Sequence, residues 1–258
     1  MDPLFDISKR VAVVTGACGL IGSLLARMFH DRGARVALVD IAAANPSEMA
    51  RSIGKEVIGL ECDVTNGGDV AELVGKVRGH FGRVDILINS HTYRPRGWAE
   101  ANAESFPEEL WDQIMEVNLK GTFLTCREFG RAMLEQKSGS IINFASTYGV
   151  VSSNPDLYEG NSLGNPVAYS VSKAGVIMLT RYLGVHWASR GVRVNCVTPH
   201  GVLNHQEPGF VERFSAKSPM KRLMRADEVV GAVLFLASEA SSYSTGSNVL
   251  IEGGWTGW

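Results

Sequence analysis

The stretch RVAVVTGACGLIGSLLARMFHDRGARVALVD, residues 10 to 40, decides the fold. An apolar β-branched run leads into three regularly spaced glycines, then a segment of helical periodicity, then a second β-branched run that ends on an acid. That order reads strand, turn, helix, strand. Gly16, Gly19 and Gly22 let the chain turn tightly and let a pyrophosphate approach the backbone. The helix that follows presents N–H groups and the positive end of its dipole. A glycine-rich loop alone is a common string. Its place between a strand and a helix, in the first βαβ unit of the chain, is what points to a dinucleotide. Cys18, Leu20 and Ile21 complete the candidate loop contacts.

Asp40 stands 18 residues beyond Gly22, at the end of the second run. An acid there accepts hydrogen bonds from a ribose diol and repels a 2′-phosphate. Ile41 follows it and the loop holds no Lys or Arg, so NAD is expected over NADP.

Five more apolar runs lie at residues 56–63, 84–90, 139–146, 192–199 and 248–254. Most are apolar throughout instead of alternating, the pattern of strands covered on both faces. The expected fold is therefore α/β, a single doubly wound Rossmann domain over residues 1–258, with a seven-stranded parallel sheet flanked by helices. The longest helices are expected from about Glu108 to Glu135 and from near Tyr169 onward. The second is apolar around much of its circumference, which suggests a homo-oligomer, dimer or tetramer.

Composition excludes several classes. Against 27 acids stand 25 Lys and Arg, a net charge of −2, so neither nucleic acid nor an anionic membrane is an expected partner. The cysteines at 18, 62, 126 and 196 form no metal-binding cluster, and no metal is expected. The terminus MDPLFDISKR lacks the apolar core of a leader, and no run has the length of a membrane span, so a cytoplasmic protein is expected.

Tyr169 and Lys173 are four residues apart at the start of a helix and emerge on one face. An ammonium beside a phenol favours the phenolate and draws its pKa toward neutrality, so the pair can exchange a proton at physiological pH.

Together with CDV (62–64), DILINS (85–90), VNLKGTF (117–123), INFAS (142–146), YSVSK (169–173), RVNCVTP (193–199) and IEGGW (251–255), these features make the chain resemble the short-chain dehydrogenase/reductase family over nearly its whole length. The resemblance implies that Asp63 and Val64 border an adenine and that Asn89 supports the cofactor. It implies a tetrad in which Tyr169 is the acid/base, Lys173 lowers its pKa and holds the nicotinamide ribose, Ser146 binds the substrate oxygen and Asn118 holds a relay water. Pro199 and Val202 are further candidate cofactor contacts.

The chain departs from the family pattern in four places. The TGxxGxxG spacing is similar to the family's extended branch, yet the length suits the shorter oxidoreductase branch. NSHT replaces the usual NNAG and sets Ser90 and His91 near the nicotinamide. PHG replaces PG, bringing in His200, and Asn204 stands where a threonine is common. Ser146 and Tyr169 are 23 residues apart, longer than the usual interval. The excess is a loop rich in Ser, Asn, Gly and Pro that offers Tyr158, Glu159 and Asn161 as specificity residues.

Candidate substrate contacts are His91, Arg94, Tyr148, Tyr158 and His200. A histidine at such a place is as readily structural, and Arg94 and Arg96 as readily solvated. The expected activity is NAD-dependent interconversion of a secondary alcohol and a ketone on a small polar substrate, a sugar, sugar acid or polyol. The alternatives are a non-sugar hydroxy or keto metabolite, a sugar-modifying enzyme that uses NAD transiently, and a non-catalytic NAD-binding regulator.

Overall fold

All seven runs enter one sheet. The computed structural model describes residues 2–95, 102–158, 164 and 166–257. Its strands are β1 (Val11–Thr15), β2 (Arg35–Asp40), β3 (Val57–Glu61), β4 (Ile86–Asn89), β5 (Gly139–Phe144), β6 (Val192–Pro199) and β7 (Asn248–Ile251). They pair in the order β3-β2-β1-β4-β5-β6-β7, each pair parallel. The helices are α1 (Leu20–Asp31), α2 (Pro46–Ile53), α3 (Gly67–Phe81), α4 (Glu108–Met115), α5 (Thr122–Gln136), α6 (Val167–Trp187), α7 (Pro208–Lys217) and α8 (Val230–Ala237).

Successive strand residues feed opposite layers. Val11 and Val13 join one core with Leu73 of α3 and Phe129 of α5, while Ala12 and Val14 join the other with Phe29 of α1 and Leu236 of α8. This double burial is why the strands read as unbroken apolar runs. Phe29 and Phe129 are fully buried, and each side chain contributes about 1.5–3 kcal/mol to anchoring its helix. The strand order reverses between β1 and β4, which opens a crevice at their carboxyl ends.

The segment expected as one helix from Glu108 is divided. Between α4 and α5 lies a π-helical turn, Glu116–Gly121, with Asn118 fully buried in it. A widened turn of this kind breaks the regular hydrogen-bond ladder, and such turns gather at functional sites. Gly121 permits its close seat against the segment after β3, since a Cβ there would lie 2.8 Å from Val64 Cγ2.

The insertion before α6 packs on α7. Leu157 is fully buried against Phe210, Phe214 and Leu223. Lys217 Nζ pairs with Asp156 at 2.8 Å, and Arg213 Nε donates to the Leu157 carbonyl at 3.3 Å. Glu159, Asn161 and Arg96 lie outside the described residues.

Helix α6 turns Tyr169, Lys173, Val176 and Thr180 inward. Its opposite face exposes Val171, Met178, Tyr182 and Val185, the last at 73 %. Among the described residues no helix is long and apolar enough to cross a membrane.

Candidate active site

The crevice between β1 and β4 is a cavity of about 660 Å³. Gly16 and Gly19 form its floor, Asp40 and Ile41 one wall, Asp63 and Val64 the next, and Ser90 and His91 the inner end. Gly16 has φ +64°, and a Cβ on it would stand 2.6 Å from His91 Cα. A Cβ on Gly22 would stand 2.2 Å from the Gly16 carbonyl oxygen. The loop therefore tolerates no side chain at either place.

No side chain caps α1, so the first-turn amides of Leu20 and Ile21 have no side-chain acceptor. Asp40 is braced at both oxygens, Oδ2 accepting from the Cys18 amide and Oδ1 from the Ile41 amide, each at 2.9 Å. A bare glycine cradle, an uncapped helix terminus and a fixed carboxylate at the far wall together fit a dinucleotide.

Asn89 sits behind this wall, with Nδ2 donating to Asn143 Oδ1 at 2.9 Å. Ser90 Oγ donates to the Thr15 carbonyl at 2.6 Å. Asp63 accepts from the amide and hydroxyl of Thr65 at 2.9 and 2.8 Å. Pro199, Val202 and Asn204 lie outside the lining of this cavity. Pro199 ends β6 and accepts from Thr147 Oγ1 at 3.2 Å, Val202 bridges to Met224, and the Asn204 amide donates to Gln206 Oε1 at 2.7 Å.

The tetrad residues converge beside the inner end. Ser146 follows β5, and Tyr169 and Lys173 come from the first turns of α6; all three are buried. Ser146 Oγ accepts from the Tyr148 amide at 3.2 Å and hydrogen-bonds the Tyr169 side chain. Lys173 Nζ donates to the Phe144 carbonyl at 2.9 Å and lies 5.7 Å from the centre of the Tyr169 ring. Asn118 Oδ1 accepts from the Tyr93 amide at 2.7 Å, while its buried Nδ2 has no partner among the described residues.

Burial opposes ionisation of Tyr169. It is outweighed by the charges of Lys173 and Arg94 and by hydrogen bonds from Ser146 and Arg94, so the phenol lies below its usual range. Burial, with some help from Arg94, lowers Lys173, and Tyr169 works against that shift. The arrangement sets a phenol beside two cations, Lys173 and Arg94, the second of them hydrogen-bonded to it. Sequence reasoning had placed Arg94 at the mouth of the pocket but not on Tyr169 itself.

The other substrate candidates divide. Tyr158 OH donates to Tyr148 OH at 2.8 Å. Tyr148 meets the His200 ring edge-on, with centroids 6.4 Å apart. His200 is packed against Phe214 and Trp255 at 4.4 and 4.3 Å, its buried Nε2 has no partner among the described residues, and burial pushes its pKa down to about 4. The aromatic ending of the sequence was the one signal that could have foretold the contact with Trp255.

His91 lines the crevice, and both its ring nitrogens are engaged by protein: Nδ1 lies 2.7 Å from Thr15 Oγ1 and Nε2 lies 3.2 Å from Thr122 Oγ1. The physical reason is that two hydroxyls on neighbouring elements offer a buried imidazole what it otherwise loses with water.

Comparison with known proteins agrees with this geometry. The family model described as enoyl-(acyl carrier protein) reductase matches residues 16–256. The chain is 35 % identical over 261 residues to an NAD-dependent glycerol dehydrogenase of Listeria innocua, covering 99 % of this chain and 97 % of that protein. It is 36 % identical over 261 residues to a D-threitol dehydrogenase of Mycolicibacterium smegmatis, covering 98 % and 95 %. The crystal structure of a gluconate 5-dehydrogenase from Burkholderia cenocepacia, in complex with NADP and tartrate, superposes with a TM-score of 0.89 at 26 % identity, covering 99 % of this chain and 98 % of that one. Glycine cradle, parallel sheet and full-length relatives together establish that the chain belongs to the short-chain dehydrogenase/reductase family and is an oxidoreductase of CH–OH groups that uses a nicotinamide cofactor.

Proposed function

We propose that this chain, acting as one domain over residues 1–258, is an NAD-dependent dehydrogenase that interconverts a secondary alcohol and a ketone on a small polyol, sugar or sugar acid. The observation that carries this reading is the buried cluster of Ser146, Tyr169 and Lys173 at the inner end of a crevice whose far wall is the braced carboxylate of Asp40. NAD supplies the hydride acceptor when bound. Gly16, Gly19 and the first turn of α1 would hold its phosphates, Asp40 its adenosine ribose, and Lys173 its nicotinamide ribose.

The chain's own residues handle the proton. Ser146 donates a hydrogen bond to the substrate oxygen and fixes it beside the phenol. Tyr169, held toward its ionised form by Lys173 and Arg94, takes the hydroxyl proton as the carbonyl forms. Asn118, in the π-turn behind Lys173, holds the water that passes this proton outward. A small polar substrate is supported by the polyol dehydrogenases among the relatives and by the polar groups of Arg94, Tyr148 and Tyr158 near Tyr169.

The test is a panel of polyols, sugars and sugar acids assayed with NAD and with NADP by the absorbance of the reduced nicotinamide. Absence of reduced cofactor across the panel would remove the reading. For Asp40→Ala, kcat/KM for NAD is expected to fall about tenfold, because a ribose hydrogen bond of about 1.4 kcal/mol is lost and the loop loses its brace. The preference over NADP should shrink with it. Equal use of both cofactors by the unaltered enzyme would count against the role given to Asp40.

We also propose a cytoplasmic location and a homo-oligomer, dimer or tetramer, with a second copy covering the outer face of α6. Val171, Met178, Tyr182 and Val185 form a stripe along that face, a pattern that calls for a partner. Introducing Met178→Glu and Val185→Glu together is expected to shift sedimentation to the monomer. Unaltered protein that sediments as a monomer at micromolar concentration would remove the assembly.

A further inference from the structure

We propose that His91 is a positioning residue: its imidazole ties the end of β1 to the π-turn and thereby sets Asn118 for the proton relay. The proposal rests on the dehydrogenase reading above and extends it to a residue whose ring nitrogens are both engaged by protein.

The geometry comes from three elements. The His91 ring follows β4, and Nδ1 is 2.7 Å from Thr15 Oγ1, the residue before the glycine cradle. Nε2 is 3.2 Å from Thr122 Oγ1, which in turn donates to the Asn118 carbonyl at 2.9 Å. The ring also hydrogen-bonds the Val117 backbone. Only an N–H can donate to a carbonyl, and Nε2 is the nitrogen facing that turn, so Nε2 carries the proton. Nδ1 then accepts the Thr15 hydroxyl, whose alternatives, the Ile88 carbonyl and Asn89 Oδ1, are both 3.4 Å away.

The surroundings are cut to fit this ring. Gly16 leaves room for the His91 backbone, and a Cβ on Gly121 would stand 3.4 Å from Nε2. Burial and the nearby Lys173 keep the imidazole neutral, with the Val117 carbonyl opposing them, and the pKa is pushed down to about 3. A neutral ring of fixed tautomer makes one donation and one acceptance at defined places, which a charged or freely turning group does not. The Val117 and Asn118 carbonyls both belong to the π-turn, the first bonded to the ring and the second reached through Thr122, so the ring bears directly on where Asn118 sits. Displacement of a relay group by about 1 Å costs up to about 100-fold in rate.

Three variants and one spectrum test this. His91→Leu, similar in bulk but without polar atoms, is expected to lower kcat roughly 10- to 100-fold, to leave NAD binding within about threefold, and to raise the solvent isotope effect on kcat. His91→Gln, which keeps a donor and an acceptor, should recover most of that loss. Thr122→Val tests the same link from the other end and should lower kcat about tenfold, so the proposal stays testable if His91→Leu does not fold. In the unaltered protein, nitrogen-15 spectra should show His91 as the Nε2–H tautomer, unchanged between about pH 5 and pH 9.

Full kcat in His91→Leu or Thr122→Val with only a lower Tm would overturn the proposal, and so would a rise in substrate KM alone. Recovery by His91→Gln no better than by His91→Leu, or the opposite tautomer, would do the same. The spectrum needs no turnover, so it separates failure of this inference from failure of the dehydrogenase reading, which the substrate panel decides.

Discussion

Tyr169→Phe is expected to lower kcat by about 10²- to 10⁴-fold while NAD binding stays within about threefold. The substitution removes one oxygen. That oxygen is the atom on which Ser146, Arg94 and Lys173 act, through hydrogen bonds from the first two and through charge from the last two. The ring itself is buried and its packing survives as Phe, so the cofactor crevice keeps its lining. Lys173 retains its bond to the Phe144 carbonyl and can still hold a ribose. Initial rates followed by nicotinamide absorbance, together with NAD titration by calorimetry, separate the two effects. Turnover that persisted near the unaltered rate would assign the acid/base role elsewhere.

Folding stability is expected to fall by about 2 kcal/mol when the pH is lowered from the unfolded histidine value of 6.5 by one unit. His91 and His200 are both more than nine-tenths buried and have pKa values pushed down from 6.5 to about 3 and about 4. Between those values and 6.5 the unfolded chain binds a proton at each histidine and the native chain does not, so stability rises with pH throughout this window. Each group costs about 1 kcal/mol over the first unit below 6.5 and approaches about 1.4 kcal/mol per unit beyond it. The loss from His200 stops near pH 4 and that from His91 near pH 3, where the native state also takes up the proton. Urea denaturation at a series of pH values measures the slope, and His200→Leu should halve it above pH 4. A flat profile from neutrality down to pH 5 would mean that both rings meet water.

The architecture was legible because both faces of each strand are covered. Val11 to Val14 and Val36 to Val39 carry no polar break, and such runs have few other readings. The glycine cradle was legible for a related reason, since Gly16 and Gly22 meet backbone within 2.6 and 2.2 Å of where a Cβ would be, and only one residue type tolerates that. The pairing of Tyr169 with Lys173 followed from helical periodicity alone.

Other features depend on atoms far apart in the chain. Whether the helix from Glu108 runs straight or widens at Asn118 is decided by contacts of the turn with Tyr93 and Val64. The direction of His91 is decided by Thr15, 76 positions away, and Thr122, 31 positions away. Arg94 had two readings, solvated or substrate-facing, until α6 brought the Tyr169 oxygen to it. The insertion read as a loop of unknown course, and burial of Leu157 against Phe210 and Phe214 determines that it rests on α7.

Periodicity and residue type report how a segment meets its immediate surroundings, so residues 1–258 by themselves determined strands, cradle and proton-transfer pair. Which polar group turns toward which depends on hydrogen bonds whose partners come from other elements. Only the folded chain, by burying Thr15, His91 and Thr122 together, decided that protein hydroxyls take up both nitrogens of the His91 ring.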